Sequence, residues 1–397
     1  MIISFIDSLG NKNTLDIIPV GDIRRRVFQD IDYTSKKEFL QKFLSLYEAG
    51  EKLVLFDKNH RQLQEFYTNN NINHLDNIEG LDEDTQLLFF TSGSSGFPVG
   101  AFKTRENLES EVAVLKALVQ SRITVKKVVV TVPFVHIYGV LAGILLPLSL
   151  GDIEVVVKED FLPYEILHEI ENTDTLVITT PVFIKALTKV QDSKRLDSCL
   201  FISSTGPLDE DNIAVFEAKY NTTLLQLFGS TETGGIAFKF STSREWKPLD
   251  GVKIEQYNEK LAISSPFISE YILTKELQKI DQPFVTEDIV KLKEEGFELL
   301  GRSNKIIKIA GKRISTMAIE LLLEEMEVVQ KAVVIVVYKK NLLRSEQMII
   351  YLEAEQQVVK KDIKETISKS YGVLTIPFEI KYVDKINLSA MGKKIIF

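Results

Sequence analysis

Residues Phe90-Thr91-Ser92-Gly93-Ser94-Ser95-Gly96-Phe97-Pro98-Val99-Gly100 concentrate hydroxyls and glycines directly after the apolar run Leu87-Leu88-Phe89-Phe90. The run predicts a buried strand. Glycine lets main-chain N–H groups approach a ligand closely. With Gly93 and Gly96 in place, the hydroxyls of Thr91, Ser92, Ser94 and Ser95 add donors, so Thr91–Gly96 can cradle phosphate oxygens. It is not the Walker loop, because no Gly-Lys-Ser/Thr follows. The same composition also suits a flexible turn, and this stretch alone leaves both readings open.

Other residues with chemical capacity lie downstream. His136 sits in Pro133-Phe134-Val135-His136-Ile137-Tyr138-Gly139, where a histidine at a strand end is equally well satisfied by backbone carbonyls. Glu232 sits in Phe228-Gly229-Ser230-Thr231-Glu232-Thr233-Gly234-Gly235, a glycine-rich turn in which a lone glutamate by itself points to no particular chemistry. Ser203-Ser204-Thr205-Gly206-Pro207-Leu208 reads as a strand-to-helix turn with Asp209 as N-cap.

The elements that position these groups are legible as alternation. Strand-like runs at Leu87–Phe90, Val128–Val132, Ile153–Val157, Thr175–Thr179, Cys199–Ser203 and Thr223–Leu227 alternate with helical spacing at Arg105–Ser121, Tyr138–Leu150, Pro163–Asn172, Pro181–Val190 and Asp209–Tyr220. Pro181 and Asp209 stand where helix starts favour them. This predicts an α/β fold with a doubly wound, mostly parallel sheet, whose ligands bind outside the carboxyl ends of the strands. The Ser/Gly loop is expected there. Residues 241–303 read as a small β subdomain, and 304–397 as a compact α/β unit. The expected domains are therefore 1–303 (with 1–86, 87–240 and 241–303 as parts) and 304–397.

Taken in order, these motifs resemble the adenylate-forming superfamily of acyl- and aryl-CoA ligases, luciferases and peptide-synthetase adenylation domains. The resemblance covers roughly residues 87 to 397. It implies a large N-terminal domain and a small mobile C-terminal lid, with ATP and Mg²⁺ as cofactors. Thr91, Ser92, Gly93, Ser94, Ser95 and Gly96 match the phosphate loop. His136 matches the histidine between carboxylate and nucleotide. Thr205, Gly206 and Pro207 match the turn against adenine, with Thr205 at a usual glycine position. Phe228 and Gly229 match the adenine-stacking element, Thr231 the α-phosphate contact and Glu232 the Mg²⁺ ligand. Phe284-Val285-Thr286-Glu287-Asp288 resembles the element whose aspartate binds the ribose, and Arg302 matches the ribose arginine. Asn304 matches the hinge, Lys308 begins the basic face that meets the thiol, and Ile319-Glu320 matches the pair opening the first C-terminal helix. Leu388-Ser389-Ala390-Met391-Gly392-Lys393-Lys394 resembles the terminal motif whose lysine, here Lys393, stabilises charge at the reacting centre. Lys394 is the less favoured substitute.

The chain departs from the pattern in places. Val99 replaces the loop lysine, and Lys103 is the nearest cation to take its role. Glu287 replaces a glycine, placing an extra carboxylate near a triphosphate, which is unfavourable unless it points to solvent. Residues 1–86 are shorter than usual, which predicts a more open acid pocket or one completed by another chain. A non-catalytic nucleotide- or acyl-binding homologue is the competing reading these departures motivate. Val128–Leu150 carries no acid to pair an α-amino group, so an apolar or aromatic carboxylic acid is expected, in a pocket formed by His136, Tyr138, Gly139, Gly235 and Ile236. The acceptor is expected to be coenzyme A or the phosphopantetheine arm of an acyl carrier protein.

Bulk composition bounds these expectations. The 397 residues are 45% hydrophobic and 26% charged, which is ordinary globular composition. A net charge of −8 argues against nucleic-acid binding, which rests on clustered Lys and Arg. Cys199 is the single cysteine, so no internal disulfide forms, and a reducing, cytoplasmic setting is expected. The N-terminus lacks a basic region followed by a long apolar one, so no signal peptide is indicated. The uncharged stretch Val128–Gly151 is interrupted by Pro133, Gly139, Gly143 and Pro147 and reads as strand, loop and buried helix rather than a membrane span.

Overall fold

The structure is a computed structural model that describes all residues except 17–27, 33, 57–80, 82–83, 92–98, 171–173, 193, 275, 303–305, 310–311, 339–345, 389–393 and 396–397. For 32, 56, 91, 306, 308, 312, 313, 338, 346 and 395 only the backbone is described. Two compact units divide the chain: Met1–Lys253 with Ile263–Phe284, and Ile254–Ala262 with Val285–Phe397.

The first unit holds a mixed sheet with a parallel centre. Its strands are β1 (Ile2–Ile6), β2 (Lys12–Thr14), β7 (Lys127–Val130), β8 (Glu154–Lys158), β9 (Thr175–Thr179), β10 (Cys199–Ser203), β11 (Thr223–Ser230), β12 (Gly234–Phe240) and β13 (Glu245–Pro248). The order is β13-β12-β11-β10-β9-β7-β8-β1-β2. From β11 to β1 every pairing is parallel. β7 has β8 on one side and β9 on the other, so the winding reverses there. In doubly wound sheets that reversal opens a crevice at the strands' carboxyl ends. The central strands are valine-, leucine- and isoleucine-rich and buried along their length, as strands covered on both faces must be. Helices α5 (Pro163–Glu169), α6 (Pro181–Lys189) and α7 (Glu210–Tyr220) pack one face through Ile166, Leu167, Ile184, Leu187, Ile213 and Phe216.

A second sheet corrects the sequence reading. β5 (Thr85–Thr91) lies not in the doubly wound sheet but in the order β17-β16-β6-β5-β4-β3, with β3 (Gln29–Asp32), β4 (Leu53–Phe56), β6 (Val99–Thr104), β16 (Tyr271–Leu273) and β17 (Leu277–Lys279). β5 runs parallel to β4 and antiparallel to β6, with Thr91 opposite Val99. The Ser/Gly stretch therefore joins an antiparallel hairpin rather than a strand and helix. Helix α2 (Arg105–Gln120) follows, its start closed by a Thr104/Asn107 capping box.

The predicted helix Tyr138–Leu150 is three pieces: α3 (Ile137–Val140), a π-helical turn (Leu141–Leu145) and α4 (Leu146–Leu150). None of the described helices is long and apolar enough to cross a membrane. Residues 1–56 contribute strands to both sheets and supply α1 (Lys36–Glu48). Phe39 of α1 stacks near Phe134 at 6.3 Å. The buried Lys36 Nζ donates to the Thr131 and Lys158 carbonyls, 3.0 Å each. That helix is thus fastened over the carboxyl ends of β7 and β8.

In the second unit, strands β14 (Lys253–Tyr257), β15 (Lys260–Ser264), β18 (Phe284–Leu292) and β19 (Phe297–Arg302) are neighbours in that order. The hairpin β20 (Ile306–Ile309) and β21 (Lys312–Ser315), helix α8 (Thr316–Glu324), strands β22 (Val329–Tyr338), β23 (Glu346–Ala354) and β24 (Phe378–Tyr382), and helix α9 (Lys360–Tyr371) share one core built on Ile319, Leu323, Ile350 and Ile363.

Candidate active site

The carboxyl ends of β7, β9, β10 and β11 gather three of the sequence motifs. Thr131, just past β7, donates its hydroxyl to the Ile178 carbonyl at 3.1 Å and meets Thr179 Oγ1 at 3.0 Å. This bridges the crevice where the winding reverses. Tyr138 is buried, and its Oη is shared between the Thr179 carbonyl at 3.1 Å and the Ile202 carbonyl at 2.9 Å. Burial pushes its phenol far up, so it is a fixed neutral donor. The tyrosine thereby ties the His136 segment to the ends of β9 and β10.

Gly139 earns its place through backbone packing. A Cβ there would lie 2.0 Å from the Pro133 carbonyl oxygen. The glycine lets α3 turn tightly over the segment after β7, and His136, the N-cap of α3, is set at its mouth. Ile236, read as a pocket residue, is 1% exposed and belongs to the core, whereas Gly235 is half-buried.

The turn after β10 is held to β11 by Ser204, whose hydroxyl donates to the Leu227 carbonyl at 3.0 Å. Thr205 has φ +81°, a left-handed conformation costly for a β-branched residue. It occupies the position where the resemblance expects glycine, so the backbone shape persists and the residue type does not. Gly206 and Pro207 are exposed, presenting the turn's surface. Phe228, half-buried near the end of β11, packs its ring 5.4 Å from Trp246.

Between β11 and β12 the chain reverses through Ser230–Thr233, after a bulge at Phe228/Gly229. Bulges re-aim side chains beside sites. The Ser230 N–H donates to Thr233 Oγ1 at 3.0 Å, and that hydroxyl donates to the Gly234 carbonyl at 2.9 Å. Thr231 and Glu232 ride this closed turn, both half-buried.

Two charged residues lie below the turn, and the sequence reading missed one of them, Glu111. Lys103, expected to reach toward phosphates, is instead 1% exposed; its Nζ donates to the carbonyls of Glu232 at 3.1 Å and Phe267 at 2.5 Å. Glu111, 5% exposed, accepts from the Gly235 N–H at 2.8 Å. Desolvation pulls Lys103 down to about 8 and pushes Glu111 up to about 7, each opposed by the other's charge. The signal for Glu111 was available: it sits in the apolar stripe Leu108, Val112, Leu115, Val119.

In the second unit, Asp288 and Arg302 are cross-strand partners on β18 and β19. Arg302 Nε approaches Asp288 Oδ1 at 3.5 Å, and the buried Nε has no hydrogen-bond partner among the described residues. The pair suits a diol that would accept from the guanidinium and donate to the carboxylate. Glu287 does not stand as a bare charge: Lys260 Nζ lies 2.8 Å from its carboxylate. Lys394 is engaged by Glu320 at 3.1 Å, Glu324 at 2.6 Å and the Ala332 carbonyl at 2.8 Å, so in this structure it is a core-side anchor. Lys308 lies on β20, its side chain undescribed. Ser92, Gly93, Ser94, Ser95, Gly96, Asn304 and Lys393 lie outside the described residues, as does the side chain of Thr91.

Among the described residues no group of three or more His, Cys, Asp or Glu converges. Glu232, half-buried on its turn, fits a Mg²⁺ carried mainly by phosphate oxygens, which one or two carboxylates suffice to hold.

The family model described as AMP-binding enzyme matches residues 26–259. A 3,4-dihydroxybenzoate–[aryl-carrier protein] ligase of Bacillus anthracis is 22% identical over 331 residues, spanning 82% of this chain and 76% of the relative. A 4-coumarate–CoA ligase of Halorhodospira halophila is 24% identical over 310 residues, spanning 77% of this chain and 74% of the relative. The fold matches the O-succinylbenzoate coenzyme A synthetase (MenE) of Bacillus subtilis, solved with ATP and magnesium ion, at TM-score 0.75 and 17% identity over 99% of this chain and 95% of that one.

Proposed function

Because the chain belongs to the AMP-binding enzyme family, we propose that it joins an apolar or aromatic carboxylic acid to AMP and passes the acyl group to a thiol. In the first half-reaction a carboxylate oxygen bonds to the α-phosphorus of ATP and pyrophosphate leaves. In the second the thiol attacks the acyl carbonyl, AMP leaves with that oxygen, and the thiol proton passes to solvent. Bound Mg²⁺ would neutralise phosphate charge, with Glu232 holding it. The residues' own work is positioning: Thr231 at the α-phosphate, Phe228 and the Thr205–Pro207 turn against the base, Asp288 and Arg302 at the ribose, and Lys393 at the reacting oxygens, with Asn304 as pivot.

The observation that carries this reading is the gathering of the His136 segment, the Thr205–Pro207 turn and the Thr231–Glu232 turn at one edge of a doubly wound sheet, cross-tied by Tyr138 and Ser204. The stretch Val128–Leu150 supplies no carboxylate to pair an α-amino group, which supports an apolar or aromatic substrate over an amino acid. The relatives' names include both coenzyme A and carrier-protein acceptors, and the reacting thiol is the same in each. The reading as a non-catalytic homologue loses one support, since Lys260 neutralises Glu287.

Carboxylate-dependent ATP–pyrophosphate exchange across aryl, short-chain, long-chain and amino acids tests the proposal. Exchange is expected with one apolar class and is abolished in Lys393→Ala. Saturable ATP binding without exchange for any acid would favour the non-catalytic reading.

A further inference from the structure

A buried lysine and a buried glutamate lie beneath the Thr231–Glu232 turn. Taking both charges out of water is costly, and apolar residues of similar volume commonly serve a core at least as well. What the charges do here is specific. Lys103 Nζ holds the carbonyl of Glu232 itself at 3.1 Å, and the same ammonium holds the Phe267 carbonyl at 2.5 Å. The Ser269 N–H donates to the Glu232 carbonyl as well, at 2.8 Å. Glu111 Oε1 takes the Gly235 N–H at 2.8 Å. The fit around that carboxylate is tight: a Cβ on Gly234 would lie 2.5 Å from it, and one on Gly235 2.9 Å. Gly234 moreover has φ +69°. The turn is therefore gripped at its tip from β6 and at its exit from α2.

We propose that Lys103 and Glu111 are positioning residues that hold the turn carrying Thr231 and Glu232 in one geometry toward Mg·ATP, an inference that rests on the reading of that turn as the phosphate-facing one. Neither side chain touches the nucleotide; each acts through backbone. A merely structural pair would change stability alone, whereas a positioning pair changes Mg·ATP use in a folded protein.

Two variants of the full chain separate these. Lys103→Met with Glu111→Gln removes both charges together and keeps an acceptor for the Gly235 N–H, so no unpaired charge is left in the core. Glu111→Asp keeps the charge facing Lys103 but withdraws the carboxylate from Gly235. Each is assayed for unfolding midpoint, exchange kinetics and Mg·ATP affinity by calorimetry. For folded variants the expected result is exchange kcat lowered about tenfold or more and half-saturating Mg·ATP raised several-fold, while KM for the acid stays within about twofold. A folded double variant, or folded Glu111→Asp, with wild-type kcat and Mg·ATP dependence would overturn the proposal. If the wild type binds Mg·ATP but exchanges with no acid, the ligase reading fails alone. Calorimetry then decides this one: weaker Mg·ATP binding by the variants supports it, and equal binding refutes it. A wild type that does not bind Mg·ATP overturns both.

Discussion

Gly139 admits no side chain, because its Cβ would fall on the Pro133 carbonyl 2.0 Å away. Gly139→Ala should therefore destabilise the first unit by about 3 kcal/mol or more, read as a lower urea midpoint or loss of soluble protein. Thr205 makes the opposite case. At φ +81° its strain is worth roughly 1–3 kcal/mol, while glycine adds unfolded-state entropy of roughly 0.5–1 kcal/mol. Thr205→Gly should thus gain about 1 kcal/mol in the same measurement. Tyr138→Phe would leave the Thr179 and Ile202 carbonyls short of a donor, at about 1–2 kcal/mol. At this scale the sequence names candidate residues by motif, such as Glu232 and Asp288, and the structure places Glu232 on the β11–β12 turn and Asp288 on β18. The sequence was mute on direction: Lys103 was only a candidate for the loop lysine's role, since spacing along a chain does not say which face of a strand a side chain takes once its sheet is misassigned.

Helix α2 carries an acid on the stripe it presents to the core, and that acid gives the element a pH signature. Glu111 is raised from 4.5 to about 7, first by desolvation. Its folded form holds a proton more tightly than its unfolded form. The resulting stabilisation is complete below pH 4.5 and is lost as pH rises toward 7. Wild-type stability should therefore fall more steeply across that window than Glu111→Gln, by a slope approaching about 1 kcal/mol per pH unit. Parallel slopes in urea melts from pH 5 to 7 would contradict this. The lowered carboxylates, such as Asp209 and Asp197, titrate below the window. Elements themselves were largely legible: β9 and β10 fall on the expected residues, since continuous apolar runs bounded by turns leave little choice. The sheet that β5 joins was not, because the strand beside β6 in it, β16, lies at Tyr271–Leu273, and periodicity carries no information on pairing across such separation.

On the scale of the whole molecule, two compact units divide the described residues that the resemblance singles out: His136, Thr205, Phe228, Thr231 and Glu232 in the first, Asp288 and Arg302 in the second. Linkage adds that a nucleotide bound by the native chain alone raises its unfolding midpoint with concentration, so Mg·ATP should stabilise the wild type, and Glu232→Ala should blunt the shift. The central claim is the acyl-adenylate. It is tested most directly by supplying an acid that supports exchange, labelled with ¹⁸O in its carboxylate, together with ATP and a thiol acceptor, and weighing the products. The account predicts thioester together with AMP carrying one ¹⁸O from the carboxylate. Unlabelled AMP, or ADP with labelled orthophosphate, would contradict it.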